Sequence, residues 1–364
     1  MRSTLDELDA ALAELRRFVD SILPVNEVLA RKRDATIQSY LQVRRRFDYS
    51  AWVIALYGAF ETFVENLVWA RAQAEAGFRR YEELPVSLRA KHSRVTGELL
   101  AKARWGEGRY SGTTERDAIR FLCRCETTLP ASPLNRHAIV HHEKNLRAKV
   151  VAELFKEIGL PSVGPEARKM IALRRWYADL EGLELGTVDA VPHGVPEHRL
   201  DQLVDRRNQV AHAGGPPTEL LNSAEMMERT EFVAAYSQAL FAVAAGDYLS
   251  RRYLETDAAG AAKRLGPVLE RHRKDHVAIV PCPDHRVFVG QPIFQSPGDG
   301  NEPRGAVDRW GFVEELQING RGVAEASAQD GDVTVGIRTG FPMRAQGTLY
   351  VLERPDELVW SPPA

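Results

Sequence analysis

The chain has 364 residues, of which 44% are hydrophobic and 27% charged, and a formal net charge of −2 at pH 7. That length is comfortable for two domains, and the composition is that of an ordinary globular protein. The near-neutral charge excludes a global basic field as the means of holding nucleic acid, while leaving room for a local basic patch.

Residues 1–255 predict helix throughout. Thr4 with Glu7 predicts a capping box, after which Leu5, Leu8, Leu12, Leu15, Phe18 and Ile22 recur at helical spacing. Pro24 predicts a break before a second helix over 27–46. Residues 51–70, AWVIALYGAFETFVENLVWA, are apolar almost all round and predict a helix at the centre of a bundle. Glu61, Glu65 and Asn66 in that run, and Gln238 and Asp247 in the apolar run 232–249, favour core helices over membrane spans, so no membrane partner is expected. Shorter helices are predicted over 85–104, 114–126, 145–158 and 165–180, one of them stopped by Gly159 and Pro161. Residues 182–197 read as a loop from their Gly and Pro content. A helix over 197–213, a GGPP stop and a long helix over 224–254 follow.

Composition changes near 256. Residues 256–275 predict a charged linker with some helical potential, and 276–358 show short apolar alternations cut by turns. Five or six such strands predict a small closed β-barrel, with 295–305 as a flexible loop and Asn319-Gly320 as a type I′ hairpin turn. The predicted fold class is therefore mainly α, a helical bundle followed by a small C-terminal β-barrel. Cys123, Cys125 and Cys282 are too few and too closely spaced for a zinc site, and a sparse, odd set fits a reducing cytoplasm. The opening MRSTLDELDA has no apolar signal region, which also points to a cytoplasmic protein.

Arginines gather at 44–46, within 173–176 and at 206–207. Arg suits planar, bidentate work on phosphate, although a GC-rich genome gives the same bias. The last cluster sits in RRNQVAHAGG, 206–215. Leu200, Leu203, Val204, Val210 and Ala211 supply a core-facing stripe, and Asn208 and His212, four apart, share a face. Arg207 and His212 are five apart, roughly 140° around the helix, so only a flexible arginine head brings them onto one substrate. Gly214-Gly215 and Pro216-Pro217 end the helix and leave His212 in its last turn, where the helix dipole favours the imidazolium. A histidine poised near the working pH suits general acid–base chemistry, and an adjacent Arg suits a pentavalent phosphorane. Cations in a last helical turn are also stabilising for dipole reasons alone, so the cluster admits a purely structural reading.

R-N-x-x-x-H followed by Ala-Gly-Gly, on Arg207, Asn208 and His212, resembles the signature of HEPN-domain ribonucleases, in which an Arg precedes a His by four to six residues. The spacer here is four. YSAWVIALYGAFETFVENLVWA is similar to the early core helix of that superfamily with its embedded Glu. LPVSLRAKHSRVTGELLAK and NLRAKVVAELFKEIGLP are similar to the middle helices of its RiboL-PSP-type branch, and LDQLVDRRNQVAHAGG to its signature helix; the resemblance covers roughly 1–250. It implies a helical-bundle HEPN domain acting as an endoribonuclease without metal or cofactor. The 2′-OH of RNA attacks the adjacent phosphodiester and leaves a 2′,3′-cyclic phosphate. His212 would be base or acid, Arg207 would bind the scissile phosphate, and Asn208 would orient His212 or the phosphate. Arg206, with a five-residue spacer, is the alternative phosphate ligand. Glu61 either pairs with an arginine of the signature helix and holds it in place or points to solvent. The resemblance further implies a homodimer in which two sites face each other and supply acid and base together. RNA is the implied partner, with tRNA and ribosomal RNA as candidate targets, an antitoxin or regulatory protein as a candidate second partner, and a bacterial toxin, stress or phage-defence role. A non-catalytic RNA- or protein-binding module, acting as regulator or dimeric scaffold, is the alternative.

His137, His141 and His142 fall in NRHAIVHH and read as loop histidines rather than a metal site. Trp105, Tyr110, Trp176 and Tyr177 read either as base-stacking rings or, more ordinarily, as core. Residues 309–353 resemble the second domain of elongation-factor-type translation GTPases, through GFVEELQING, GDVTVGIR and GTLYVL. No P-loop motif is present, so GTP hydrolysis is not implied. That resemblance implies a module steering the nuclease toward tRNA or the ribosome; a stabilising or protein-binding barrel is the plain alternative.

Overall fold

The computed structural model describes residues 1–364 except 33, 103–104, 106, 108–109, 111, 124–133, 213–218, 256–260, 298–306, 328–333, 346 and 362–364, and except the side chains of Gln42 and His212. The chain forms two compact units: Met1 with Ser3–Phe241, and Arg2 with Ala242–Ala364.

The first unit is helical. Its elements are α1 (Arg2–Ala30), α2 (Ala35–Ala76), α3 (Val86–Lys102), α4 (Glu115–Cys123), α5 (Arg136–Ile139), α6 (Ala148–Glu157), α7 (Val163–Ala167), α8 (Ile171–Glu181), α9 (Val195–His212) and the greater part of α10 (Ser223–Tyr253). Three expectations for its start are corrected. The Thr4–Glu7 box is not a cap, because α1 already begins at Arg2 and Thr4 is a buried interior residue. Pro24 does not break α1. A proline inside a helix costs roughly 3 kcal/mol but does not forbid it, and buried Leu5, Leu8, Leu12 and Val19 anchor the rest of α1. The two helices expected over 27–46 and 51–70 are one 42-residue helix, α2. Nothing in 47–50 breaks a helix, and Arg44 bonds Asp48 across the supposed gap at 3.1 Å. The true boundary is Asp34, whose carboxylate caps α2 by accepting from the backbone N–H groups of Thr36 and Ile37. The helix expected over 165–180 is divided into α7 and α8; of the segment 114–126, α4 covers the described part.

α2 and α10 carry the core. Trp52, Phe60, Phe63 and Leu67 of α2 and Phe232, Ala239 and Leu240 of α10 are all almost fully buried. The Trp52 indole N–H donates to Thr230 Oγ1 at 3.2 Å, so the one polar atom of that ring is satisfied inside the bundle. Phe232 stacks on Tyr236 and meets Trp176, which places Trp176 in the core rather than on a base-binding surface. By length and composition both helices are long enough to cross a membrane, yet half of the relevant stretch of α2 and 83% of that of α10 are buried, as in a core helix.

The second unit combines the last turns of α10 with β1 (Ala262–Pro267), β2 (Glu270–His272), β3 (Val277–Pro281), β4 (Val287–Phe288), β5 (Pro292–Ser296), β6 (Arg309–Ile318), β7 (Arg321–Val323), β8 (Glu325–Ala326), β9 (Thr334–Thr339) and β10 (Thr348–Leu352). The antiparallel order is β1–β10–β5–β6–β9–β3–β2, with β7 on β6 and β4 paired to β8. Val268 and Leu269 join β1 to β2, and Leu269 N–H bonds Ile279 O at 2.8 Å. The segment 262–272 therefore pairs with β10 at one end and β3 at the other, closing the sheet into a small barrel. Where the sequence suggests a linker over 256–275, residues 262–272 are barrel strands. Their inward Leu265 and Val268 are too few to announce a strand without the neighbours that pair with it. Asn319 and Gly320 take φ of 52° and 73°, as a type I′ turn requires, and join β6 to β7. β5 and β10 are buried on both faces, because Tyr253 and stacked Phe294 and Tyr350 cover their outer side.

Candidate active site on helix α9

Leu200, Leu203 and Val204 bury one face of α9, and this sets the direction of the polar residues in its last turns. Arg206 is turned back onto the fold. Its guanidinium donates to Tyr49 OH at 2.9 Å and to Glu219 O at 3.5 Å, and lies 3.9 Å from the Glu219 carboxylate. The alternative phosphate ligand thus has protein partners of its own.

Arg207 is arranged differently. Its guanidinium carbon lies 5.3 Å from the centroid of Tyr57, over the ring face. One N–H reaches Asn208 Oδ1 at 3.3 Å. Among the described residues no carboxylate pairs with it. Stacking on a ring holds an arginine in place while leaving its in-plane N–H donors available, and five such donors are present on the group. Asn208 Oδ1 also accepts from Asn145 Nδ2 at 2.7 Å. With its oxygen taken twice, Asn208 presents its amide N–H₂ as a donor beside Arg207. The pair is a cationic, donor-rich surface suited to a phosphate.

Tyr57 is fixed from two directions. Its hydroxyl accepts from the buried Leu146 N–H at 3.0 Å and donates to Glu61 Oε1 at 2.9 Å. Burial and, secondarily, Glu61 push its pKa well above the usual tyrosine value, against the Leu146 N–H and Arg207, so it stays a neutral donor. Glu61 therefore neither pairs with an arginine of α9 nor simply points to solvent. It holds the ring that holds Arg207. The Tyr57 hydroxyl, one helical turn away on α2, is the donor that the Glu61 carboxylate takes. Segment 145–148 stitches α2 to α9, since Arg147 pairs with Asp205 and Asp201 and the Ala148 N–H bonds Asp201 at 3.3 Å.

α9 is described as far as His212, with Asn208 one turn earlier. The His212 side chain and the Gly214-Gly215-Pro216-Pro217 stop lie outside the described residues. Of the three histidines read as loop residues, His137 lies on α5 instead; it bonds Thr113 at 3.0 Å and packs edge-on against Tyr110, which itself packs on Trp105. His142 instead faces α2 at Glu65. Among the described residues no three His, Cys, Asp or Glu side chains converge as metal ligands. Sequence reasoning missed Tyr57 and Asn145. The i, i+4 spacing of Tyr57 and Glu61 was a usable signal; Asn145 carried none.

The RiboL-PSP-HEPN family matches residues 9–244, well over half of the chain. The chain belongs to this family. Comparison with curated proteins and with solved structures gave no match. A HEPN domain is an RNase-type or RNA-related module, commonly an endoribonuclease. In this chain the matched region contains all of α9 and the whole of the Arg207 cluster.

Proposed function

We infer that this HEPN domain is an endoribonuclease cleaving RNA by attack of a 2′-OH on the neighbouring phosphodiester, with a 2′,3′-cyclic phosphate and a 5′-OH as products. The observation that carries the reading is the state of Arg207: half-buried, stacked on Tyr57, and without a carboxylate partner among the described residues. An arginine that only capped a helix would be expected to settle on the acids around it, as Arg206 and Arg147 do. In this reading Arg207 and the Asn208 amide hold the scissile phosphate and stabilise the phosphorane charge. His212, one turn beyond Asn208, moves the proton of the 2′-OH or of the leaving 5′-oxygen. One histidine serves one of these steps, so a homodimer with two α9 ends facing one phosphodiester supplies both. The C-terminal barrel resembles a translation-factor domain and would direct the nuclease to tRNA or the ribosome. A cytoplasmic toxin or phage-defence effector held in check by a partner protein fits such a combination.

The test is cleavage of total RNA in EDTA by wild type, His212→Ala and Arg207→Ala, with product ends analysed. Wild type should give cyclic-phosphate ends, and each variant should lose at least about a hundredfold in rate. Equal sparing of RNA by all three across a pH series sinks the reading; salt-sensitive binding without cleavage would mark a non-catalytic RNA-binding module instead.

A further inference from the structure

We propose that His142 is a positioning residue for the Arg207–Asn208 site: it clamps segment 142–147 to α2, and that segment sets where the two donors point. This deepens the ribonuclease reading and rests on it.

The clamp is visible in the ring contacts. Nδ1 of His142 is 2.8 Å from Lys144 O, and Nε2 is 3.0 Å from Glu65 Oε1. A carbonyl and an ionised carboxylate only accept, so the geometry asks for a hydrogen on each ring nitrogen. The species that satisfies both contacts is the imidazolium. Three and four residues on, Asn145 bonds Asn208 and the Leu146 N–H bonds the hydroxyl of Tyr57, the ring beneath Arg207. Tyr57, Glu61 and Glu65 follow one another at four-residue steps along α2, so the clamp and the stacking ring share one helix face. With both ring nitrogens committed, His142 is not itself free to handle a substrate proton. It acts through Asn145 and Leu146.

The charges around the ring favour this state. On α2, Glu65 and Glu61 both stabilise the imidazolium. Across a polar cavity of about 460 Å³ lie Lys91 and Arg94 of α3, but Glu157 of α6 takes Lys91 at 2.6 Å, and Arg94 lies 3.0 Å from Glu98 and 3.8 Å from Glu157. The remaining charges lining that cavity, Lys102, Glu143, Lys144 and Glu153, are two of each sign and exposed. The Glu65 hydrogen bond therefore dominates, with help from the Lys144 carbonyl, and the His142 pKa is raised despite partial burial. A raised histidine pKa makes the clamp complete below the ordinary value of about 6.5 and loses it as pH climbs through the folded value.

The experiment compares wild type with His142→Gln and His142→Lys, the second keeping a cation within reach of Glu65. Two readouts are taken: exchange of the Leu146 amide by NMR, which needs no activity, and kcat and KM on a short RNA against pH. His142→Gln should speed Leu146 exchange at least about tenfold. It should also lower kcat about ten- to a hundredfold with KM within twofold, as a misplaced donor does, and abolish the alkaline fall in kcat due to His142. His142→Lys should recover part of both, with that fall moved to higher pH. Unchanged Leu146 exchange, or an unchanged kcat profile in a folded His142→Gln protein, overturns the proposal. Failure of the ribonuclease reading looks different: wild type and Arg207→Ala then spare RNA alike, while the amide exchange still decides the clamp.

Discussion

Tyr57→Phe isolates one oxygen at the centre of the site. The substitution keeps the ring, and with it the seat of Arg207, but deletes the hydroxyl shared by the Leu146 N–H and Glu61. Leu146 is fully buried, so its N–H loses its acceptor without gaining water. A buried donor left unsatisfied costs about 1–3 kcal/mol, whereas the partly exposed Glu61 can turn to solvent for little. The expected loss is therefore about 2 kcal/mol. In a helical unit of this size each kcal/mol moves Tm by roughly 2–4 °C, which gives a fall of roughly 4–8 °C. Urea unfolding followed by far-UV circular dichroism reads it, since helix is concentrated in this unit. Tyr57→Leu should fall further, because it also gives up the cation–π contact, worth about 0.5–2 kcal/mol. Stability of Tyr57→Phe within about 0.3 kcal/mol of wild type would refute the reasoning, for then the hydroxyl is not what satisfies Leu146.

Two further outcomes follow from other parts of the molecule. Gly246→Ala, in the α10 segment of the second unit, should destabilise that unit by about 3 kcal/mol in thermal unfolding monitored through Trp310 and Trp360, because a Cβ there would sit 1.6 Å from Val307 O. The same change in an open helix normally stabilises, so the sign alone is the check. His92 is buried with Nε2 accepting from the Asn135 N–H, and burial pushes its pKa down to about 4. The unfolded chain then binds the extra proton between about pH 6.5 and 4, so stability present above pH 6.5 is lost by about 3 kcal/mol on acidification, and a slope that His92→Gln leaves unaltered would contradict this.

How far the sequence could be read depended on whether a signal was local. α9, α10 and the Asn319-Gly320 turn were legible because period, caps and turn residues lie within a few positions of one another. Pro24 is a cost to α1 rather than a stop, and residues 47–50, left between the two helices expected over 27–46 and 51–70, continue α2 with Tyr49 buried. The strands over 262–272 depend on partners at 277–281 and 348–352, which no local pattern reveals. In the candidate site, Arg207 and Asn208 were singled out from spacing alone. The Tyr57 seat and the Asn145 bond were not, because they join residues 150 and 63 positions apart through side chains ordinary in themselves.

The same contacts explain how an arginine stays open in acidic surroundings. The elements that carry the cluster also carry acids: Glu61 and Glu65 on α2, Asp201 and Asp205 on α9, and Glu219 after α9. A carboxylate within about 4 Å of Arg207 would gain several kcal/mol of Coulomb energy at protein-like dielectric and would compete with a phosphate for the same donors. Each of these acids instead has another partner: Tyr57 takes Glu61, His142 takes Glu65, Arg147 takes both aspartates, and Arg206 takes Glu219. The partners thus do indirect work, since each cation or hydroxyl that engages an acid keeps it from closing on Arg207. Arg207 is seated on the Tyr57 ring rather than on a counter-ion, so its donors are not already taken by a carboxylate among the described residues. In the proposed ribonuclease, the availability of Arg207 therefore depends on how its neighbours are paired as well as on the arginine itself.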